Sequence, residues 1–526
     1  MQKRTQNQTN KKKRVQSKIG KLLFHRMGIV GVLIIAQIVL YGAGLIVLRD
    51  STNFAAVEWL FLALSVLSAL WIVGAKTNPG YKIGWLIIVL GLMPFGSVAY
   101  LLLGGNHLSQ FNQRRLRSME RKIRKNLTAE CGRAASLGEL MGENSARMAH
   151  YLEQTTHCPV YGNTRTKYYP LGDVCYDDIL KALRGAERYI FIEYFIIEEG
   201  KLWNSILDIL REKAQRGVEV RVIYDDIGSI TTLPSDYPAM LEMLGVHCRV
   251  FNRFVPVVSL RQNNRDHRKY MIIDGRVAFT GGINMADEYI NVKPRFGHWK
   301  DSAIRLEGDA VWSMTVSFLA MWDFTNSEEE HFTPFRPAPA QGGAEGYVQP
   351  YHDCPWDKEP VGQTVYLNLI YRAQRYVYIT TPYLVIDYSL SMALTTAAKS
   401  GVDVRIITPH IPDKKTVFET TRSHYEELLE AGVQVFEYEP GFIHAKNFVV
   451  DDLWATVGTV NLDYRSMFLH FENGVLLYGT PSVAAIRDDF LDTQAKSLRV
   501  TLEDCRSISL PHRLLRDLLQ LFAPLF

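Results

Sequence analysis

The sequence predicts an α/β protein built from two copies of one domain and preceded by N-terminal transmembrane helices. Three observations carry this: apolar segments before residue 105, a switch after about residue 150 to short β-branched and aromatic runs alternating with helical periods, and the return of those runs later in the chain. With 526 residues, 47% hydrophobic and 22% charged, the chain buries more than one core and has no disordered composition; at about 150 residues per domain it holds roughly three units. The formal charge of +4 is small but unevenly placed. Residues 1–26 carry many Lys and Arg and no Asp or Glu, a basic arm suited to anionic lipid or nucleic acid. The 6 cysteines lie far apart with no Cys-x-x-Cys pair, which favours a reducing compartment and gives no sign of zinc.

The membrane region is expected over residues 27–104. From Met27 to Leu48 runs an uncharged apolar stretch, as long as the roughly 20 residues a helix needs to cross a bilayer. A second stretch, 59–75, follows a loop with Arg49 and Asp50; a third, 83–103, contains Gly91, Pro94 and Gly96 and is the least suited to a straight span. The first run is too long for a signal peptide and lacks a cleavage site, so retained anchors are expected. Both the arm and the cluster from Arg114 to Lys125 read as cytoplasmic by the positive-inside rule, which three full spans cannot satisfy. Either one segment is re-entrant or interfacial, or one basic cluster is translocated. The expectation is a multi-pass plasma-membrane protein with a cytoplasmic catalytic domain.

A basic linker (105–150) leads to a first half (151–332), a Pro/Ala/Gly-rich linker (333–350) and a second half (351–526). The halves repeat each other. Ala186-Glu-Arg-Tyr-Ile-Phe-Ile parallels Ala373-Gln-Arg-Tyr-Val-Tyr-Ile, and Gly217-Val-Glu-Val-Arg-Val-Ile parallels Gly401-Val-Asp-Val-Arg-Ile-Ile. A third match, Leu244-Gly-Val-His-Cys-Arg-Val-Phe with Ala431-Gly-Val-Gln-Val-Phe, leads into the segments that carry chemistry, so the repeat is a structural unit.

His267-x-Lys269-x-x-x-x-Asp274 and His444-x-Lys446-x-x-x-x-Asp451 share one spacing. On a strand, residues two apart share a face, so each His projects with its Lys while the apolar residues behind them pack inward. Asp274 and Asp451 close the motifs and are counted in the catalytic set, as supports of the lysine or histidine, or as simple strand-end turns. Gly281 and Gly458 follow at one spacing, where a turn brings backbone close to a ligand; Asn284 and Asn461 follow at another, as neutral donors to a phosphate. Asp301 and Glu472, each seven residues before a glycine, are candidate acids to orient a histidine. Around one tetrahedral phosphate, the lysines and asparagines would stabilise developing charge, one imidazole would attack phosphorus, and the other would serve as acid and then base. That scheme needs one neutral and one protonated His, their pKa values separated by a carboxylate and by sharing a site.

The doubled motif, with Thr380-Thr-Pro-Tyr383 and Gly458-Thr-Val-Asn461-Leu-Asp463-Tyr-Arg465-Ser466, resembles the phospholipase D superfamily and, within it, the bacterial cardiolipin synthases. The resemblance covers nearly the whole chain, although the stretch 27–48 exceeds the two N-terminal segments usual in that family. It implies a duplicated phospholipase D-like domain: two α/β/α sandwich halves about a pseudo-twofold axis, after transmembrane helices. It further implies phosphatidyl transfer from one phosphatidylglycerol to another with release of glycerol, His267 as nucleophile, His444 as acid and base, and neither metal nor nucleotide cofactor. The membrane phospholipid phosphatidylglycerol is then the expected partner, and nucleic acid is not.

The alternatives are hydrolysis by a phospholipase D, a nuclease of the same superfamily, and a non-enzymatic scaffold. Intact motifs argue against the last, and apolar segments with near-neutral charge argue against the nuclease. No Asp-Gly-x-x-Ala-Arg motif of a CDP-alcohol phosphatidyltransferase is present. Asp225-Asp226 reads as a solvated loop and not a metal site, and His298 and His470 as surface or core residues. Leu514, Leu515, Leu518, Leu519 and Phe522, with Arg513 and Arg516, fit either a helix lying on a membrane or a buried domain helix.

Overall fold

The computed structural model describes residues 54–91, 95–104, 110–254, 263–326, 330–340, 342–357 and 359–525, together with Val39 and Gly42. Contacts divide the chain into two units, residues 1–106 with 254–262, and residues 107–253 with 263–526.

In the first unit, apolar sequence forms helices that satisfy their own backbone: Phe54–Gly74, Pro79–Gly91 and Phe95–Leu103. The Ser65 and Ser97 hydroxyls meet at 2.7 Å, and Trp85 meets Tyr100 edge-on with ring centroids 5.4 Å apart. The expected segment 83–103 is thus two helices, with Pro94 falling between them in the sequence. The expected segment 59–75 lies within Phe54–Gly74 but for its last residue, whereas 27–48 falls outside the described residues except for Val39 and Gly42. Among the described residues, no helix is long and apolar enough to cross a membrane.

In the second unit, the first half supplies strands β1 (Thr164–Tyr169), β2 (Tyr189–Tyr194), β3 (Glu219–Asp225), β4 (His247–Phe251), β5 (Tyr270–Ile273), β6 (Val277–Gly281) and β7 (Ala303–Gly308). They form one sheet in the order β1-β7-β6-β5-β2-β3-β4. The second half supplies β8 (Tyr347–Asp353), β9 (Tyr376–Thr380), β10 (Asp403–Pro409), β11 (Gln434–Tyr438), β12 (Asn447–Val450), β13 (Trp454–Gly458) and β14 (His470–Tyr478), in the order β8-β14-β13-β12-β9-β10-β11. These seven strands repeat the order of the first sheet, and a further strand, Ser497–Arg499, pairs antiparallel with β11 at the edge. β2, β3 and β4 run parallel through helical crossovers such as Lys201–Gln215, and every residue of β2 is buried, as befits a strand covered on both faces. One apolar cluster joins the halves: Phe191 and Phe318 share it with Val449, Val457 and Val475.

Two short parallel ladders also cross between the halves. Arg265–Asp266 pairs with the start of β14, setting Arg265 opposite His470 and Asp266 opposite Phe471. His298–Lys300 pairs with Gly441–Ile443. Each crossing segment ends immediately before a motif histidine or a candidate acid.

Asp274 and Asp451 end β5 and β12 with φ of 54° and 56°, a left-handed turn that aspartate tolerates. The Asp274 carboxylate accepts the backbone N–H groups of Glu187, Arg188 and Tyr189 at 2.7–2.9 Å; that of Asp451 accepts those of Gln374, Arg375 and Tyr376 at 2.6–2.8 Å. Both residues therefore pin the start of β2 or β9 and hydrogen-bond neither a motif lysine nor a motif histidine, which corrects the expectation that places them in the catalytic set. Asp451→Ala is expected to lower unfolding stability by about 2 kcal/mol, because three donors lose their acceptor. Asp451→Asn, keeping one oxygen and tolerating the left-handed turn, should lose less; thermal denaturation of both variants measures this, and equal losses would refute the role.

Candidate active site

The crossed ladders set the histidines: His267–Lys269 and His444–Lys446 lie outside regular strand, between a ladder segment and the strand that follows it, where the sequence reading expected them on the strand itself. The His267 backbone N–H donates to the Phe471 carbonyl at 2.9 Å, and that of His444 to the Lys300 carbonyl at 2.7 Å, so each backbone is locked to the opposite half. The side chains repeat the exchange. His267 Nδ1 lies 2.9 and 3.0 Å from the Glu472 oxygens, and His444 Nδ1 lies 2.6 Å from Asp301 Oδ2. Each imidazole of one half is thus oriented by the carboxylate of the other. Asn473 Oδ1 accepts the Lys269 N–H at 3.1 Å while its Nδ2 donates to Thr280 Oγ1 at 2.7 Å, a further tie between halves. Lys269 Nζ donates to the His267 carbonyl at 2.8 Å, and Lys446 Nζ approaches both the carbonyl and Nδ1 of His444, the latter at 2.8 Å.

The cluster is nearly closed: His267 is 6% exposed, His444 7%, and Asp301 and Glu472 0%. Burial is the largest influence on the basic groups and disfavours their charged forms. With the neighbouring lysine charges it holds His267 well below the ordinary imidazole value, and it brings His444 to about 4 against the pull of Asp301. Lys269 is lowered to about 8 and Lys446 to about 7, again chiefly by burial and against the attraction of Asp301 and Glu472. The charges of Lys446 and His444 reach His267, which makes this one electrostatic site and not two.

The structure gathers His267, Lys269, His444, Lys446, Asp301 and Glu472. Asn284 is near but committed, accepting the Ile196 N–H at 3.2 Å and donating to the Tyr289 hydroxyl at 2.7 Å; Tyr289 in turn packs edge-on against His444. Asn461 is buried, and its Oδ1 has no hydrogen-bond partner. The expected glycines serve packing: a Cβ on Gly281 would meet the Ser302 carbonyl at 2.3 Å, and one on Gly458 the Asn473 carbonyl at 2.5 Å. Asp225 is no solvated loop. It is buried, pairs with Arg265 Nε at 2.9 Å and accepts the Asp266 N–H at 3.0 Å, anchoring the segment before His267.

Sequence reasoning missed His470. Buried and 5.5 Å from the His267 ring, it turns Nδ1 toward Glu472 Oε1 at 3.7 Å and is held at about 3, first by burial. The alternation of β14 carries the signal, since His470 stands two residues before Glu472 and shares its face. Among the described residues, His267, His470 and Glu472 bring potential ligand atoms within 4.8 Å of one another. Glu472, however, already binds His267 with both oxygens and accepts the Thr459 hydroxyl, and the two lysines add positive charge, so the trio fits a hydrogen-bonded acid better than a cation.

Comparison with known proteins gives a consistent picture. The family described as "Cardiolipin synthase, PLD-like domain" matches residues 179–293 and 366–493, and "Phospholipase_D-nuclease N-terminal" matches residues 63–105. An uncharacterised protein of Streptococcus mutans is 42% identical over 465 residues, covering 87% of this chain and 99% of that one. A cardiolipin synthase of Alkalihalophilus pseudofirmus is 33% identical over 481 residues, 89% of this chain and 95% of its own. The crystal structure of a phosphatidylserine synthase from Haemophilus influenzae aligns with a TM-score of 0.54 over 73% of this chain and 98% of that one; at 16% identity this likeness concerns the fold.

The depressed imidazoles tie stability to pH. His444 at about 4 when folded, against 6.5 for an ordinary imidazole, binds fewer protons in the native chain between those values. Its contribution is present above the upper value and lost as pH falls through the lower. Melting temperature should therefore fall more steeply on acidification in wild type than in His444→Asn; parallel curves would contradict the shift.

Proposed function

The chain belongs to the cardiolipin synthase family built on the phospholipase D-like domain, and from that premise we propose that His267 and His444 exchange a phosphatidyl group between two phosphatidylglycerol molecules. The observation that carries this reading is the convergence of both His-x-Lys pairs on one site with exchanged acids. Glu472 fixes the Nδ1–H of His267 and leaves Nε2 with a lone pair to attack phosphorus. His444 differs: Asp301 accepts its Nδ1–H, and in the protonated ring Nε2 carries a second proton that can be donated. That asymmetry suits an acid.

In the first step, His267 Nε2 bonds to phosphorus as the bond from phosphorus to the glycerol oxygen breaks; His444 protonates that oxygen and glycerol leaves. In the second, a hydroxyl of another phosphatidylglycerol gives its proton to His444 and attacks phosphorus, breaking the nitrogen–phosphorus bond and yielding cardiolipin. Lys269 and Lys446 neutralise the phosphoryl oxygens, and the incoming negative charge raises the depressed lysine and imidazole values in return. One phosphodiester replaces another, so no activated donor is required. Burial of both imidazoles excludes water, the competing acceptor.

The helices Phe54–Gly74, Pro79–Gly91 and Phe95–Leu103 act in this reading as part of a membrane anchor in the plasma membrane, since Trp59, Leu60, Leu67, Leu70 and Trp71 are exposed apolar side chains. The halves 151–332 and 351–526 form the catalytic domain. Asn461 contributes its amide to the phosphate, while Asn284 acts through Tyr289.

Purified, detergent-solubilised enzyme with labelled phosphatidylglycerol and a chelator should form cardiolipin and glycerol in equal amounts. His267→Ala and His444→Ala should each lose roughly a thousandfold or more. Phosphatidate alone would make the enzyme a hydrolase, and full activity in either variant would overturn the two-histidine mechanism.

A further inference from the structure

The C-terminal helix Leu510–Phe522 is packed inside out. Its polar side faces the catalytic unit: buried Arg516 donates to Glu419 at 2.9 Å, His512 meets the same carboxylate at 2.8 Å, and Gln520 lies 3.5 Å from the His424 ring nitrogen. Its leucines face outward, with Leu510 69% exposed, Leu514 60%, Leu515 47%, Leu518 53% and Leu521 39%. At 3.6 residues per turn these five occupy one continuous face, so the arrangement is a surface and not a scatter. A core helix would point that face the other way, and the ion pairs to Glu419 hold it where it is.

The helix beneath it, Lys415–Ser423, carries Glu419. Its N-terminal flank bears the exposed Lys414 and Lys415, and the charge of Lys414 reaches His267. Lys414 also sits 5.3 Å from the centre of the Tyr383 ring. A leucine face and a pair of exposed lysines thus lie one helix apart beside the active site. Apolar side chains match the acyl boundary of a bilayer, and the lysines match anionic headgroups.

We propose that the leucine face of Leu510–Phe522 docks on the surface of a bilayer containing anionic phospholipid and presents the catalytic cluster to its lipid substrate. This rests on the transferase reading above and adds a second membrane contact, separate from the N-terminal anchor. Docking at this helix turns the Lys414 end of the neighbouring helix to the headgroup layer, so a phosphodiester reaches His267 without leaving the membrane.

The test uses the full chain in vesicles of phosphatidylcholine and phosphatidylglycerol, with Cys131→Ser and Cys248→Ser to remove the part-exposed thiols. An environment-sensitive fluorophore is attached at Leu518→Cys or, as a control on another exposed helix end, at Arg216→Cys. Doxyl-labelled lipid should quench the Leu518 position at least roughly threefold more than the Arg216 position. A Leu514→Ser/Leu521→Ser variant should lose that difference and lose about tenfold in transfer on vesicles, while keeping wild-type transfer on monomeric short-chain phosphatidylglycerol in detergent. Equal quenching at the two positions would overturn the proposal, as would protection of the label by self-association that grows with protein concentration and ignores the doxyl lipid. Quenching requires no turnover, so a chain that docks but makes no cardiolipin would refute the transferase reading alone.

Discussion

Two hydrogen bonds govern this molecule: His267 to Glu472 and His444 to Asp301, each reaching from one half of the chain to the other. Neither motif histidine takes its orienting acid from its own half. The site exists only where the two sheets dock, and the docking is enforced by the backbone ladders that bring Arg265–Asp266 to β14 and His298–Lys300 to Gly441–Ile443. Duplication therefore does more than double a binding motif. It supplies, for each motif imidazole, an orienting carboxylate from the other half, Glu472 within β14 and Asp301 directly after the ladder segment His298–Lys300.

That arrangement is electrostatically expensive. Two lysines, two imidazoles and two carboxylates share a space almost closed to solvent, and burial lowers every basic group in it. The carboxylates offset part of the cost, and a phosphodiester offsets more, because its negative charge falls among groups that are short of it. Affinity for the phosphate and activation of the imidazoles thus have one origin. The same burial that lowers the basic groups also limits the access of water to them.

Much of this was legible in the sequence, and the failures are instructive. The repeat and the His-x-Lys pairs announce themselves because strand alternation and apolar spacing are local properties, and the sheet orders match as the repeat requires. The exchange of acids was not legible, because a ladder between Arg265 and His470 spans some two hundred positions and leaves no periodic trace. Asp274 and Asp451 misled for the opposite reason: they sit at a fixed distance from the lysines in sequence, yet the strand ends there, and three unpaired N–H groups at the start of β2 or β9 claim each carboxylate. Asp225 looked solvated because its partner, Arg265, lies far along the chain. His470 was readable in principle from its alternation with Glu472, and the outward leucines of Leu510–Phe522 were readable as a face but not as to which side it turned.

Each imidazole is held by the carboxylate of the opposite half. Histidine-selective ¹⁵N spectra of the full-length enzyme test it most directly, with His267 and His444 assigned by substitution and then followed in Glu472→Gln and Asp301→Asn. Glu472→Gln should shift the Nδ1 resonance of His267 and leave that of His444 near its original position, and Asp301→Asn should do the reverse. The opposite pairing, with Asp301→Asn acting on His267 and Glu472→Gln on His444, would contradict it.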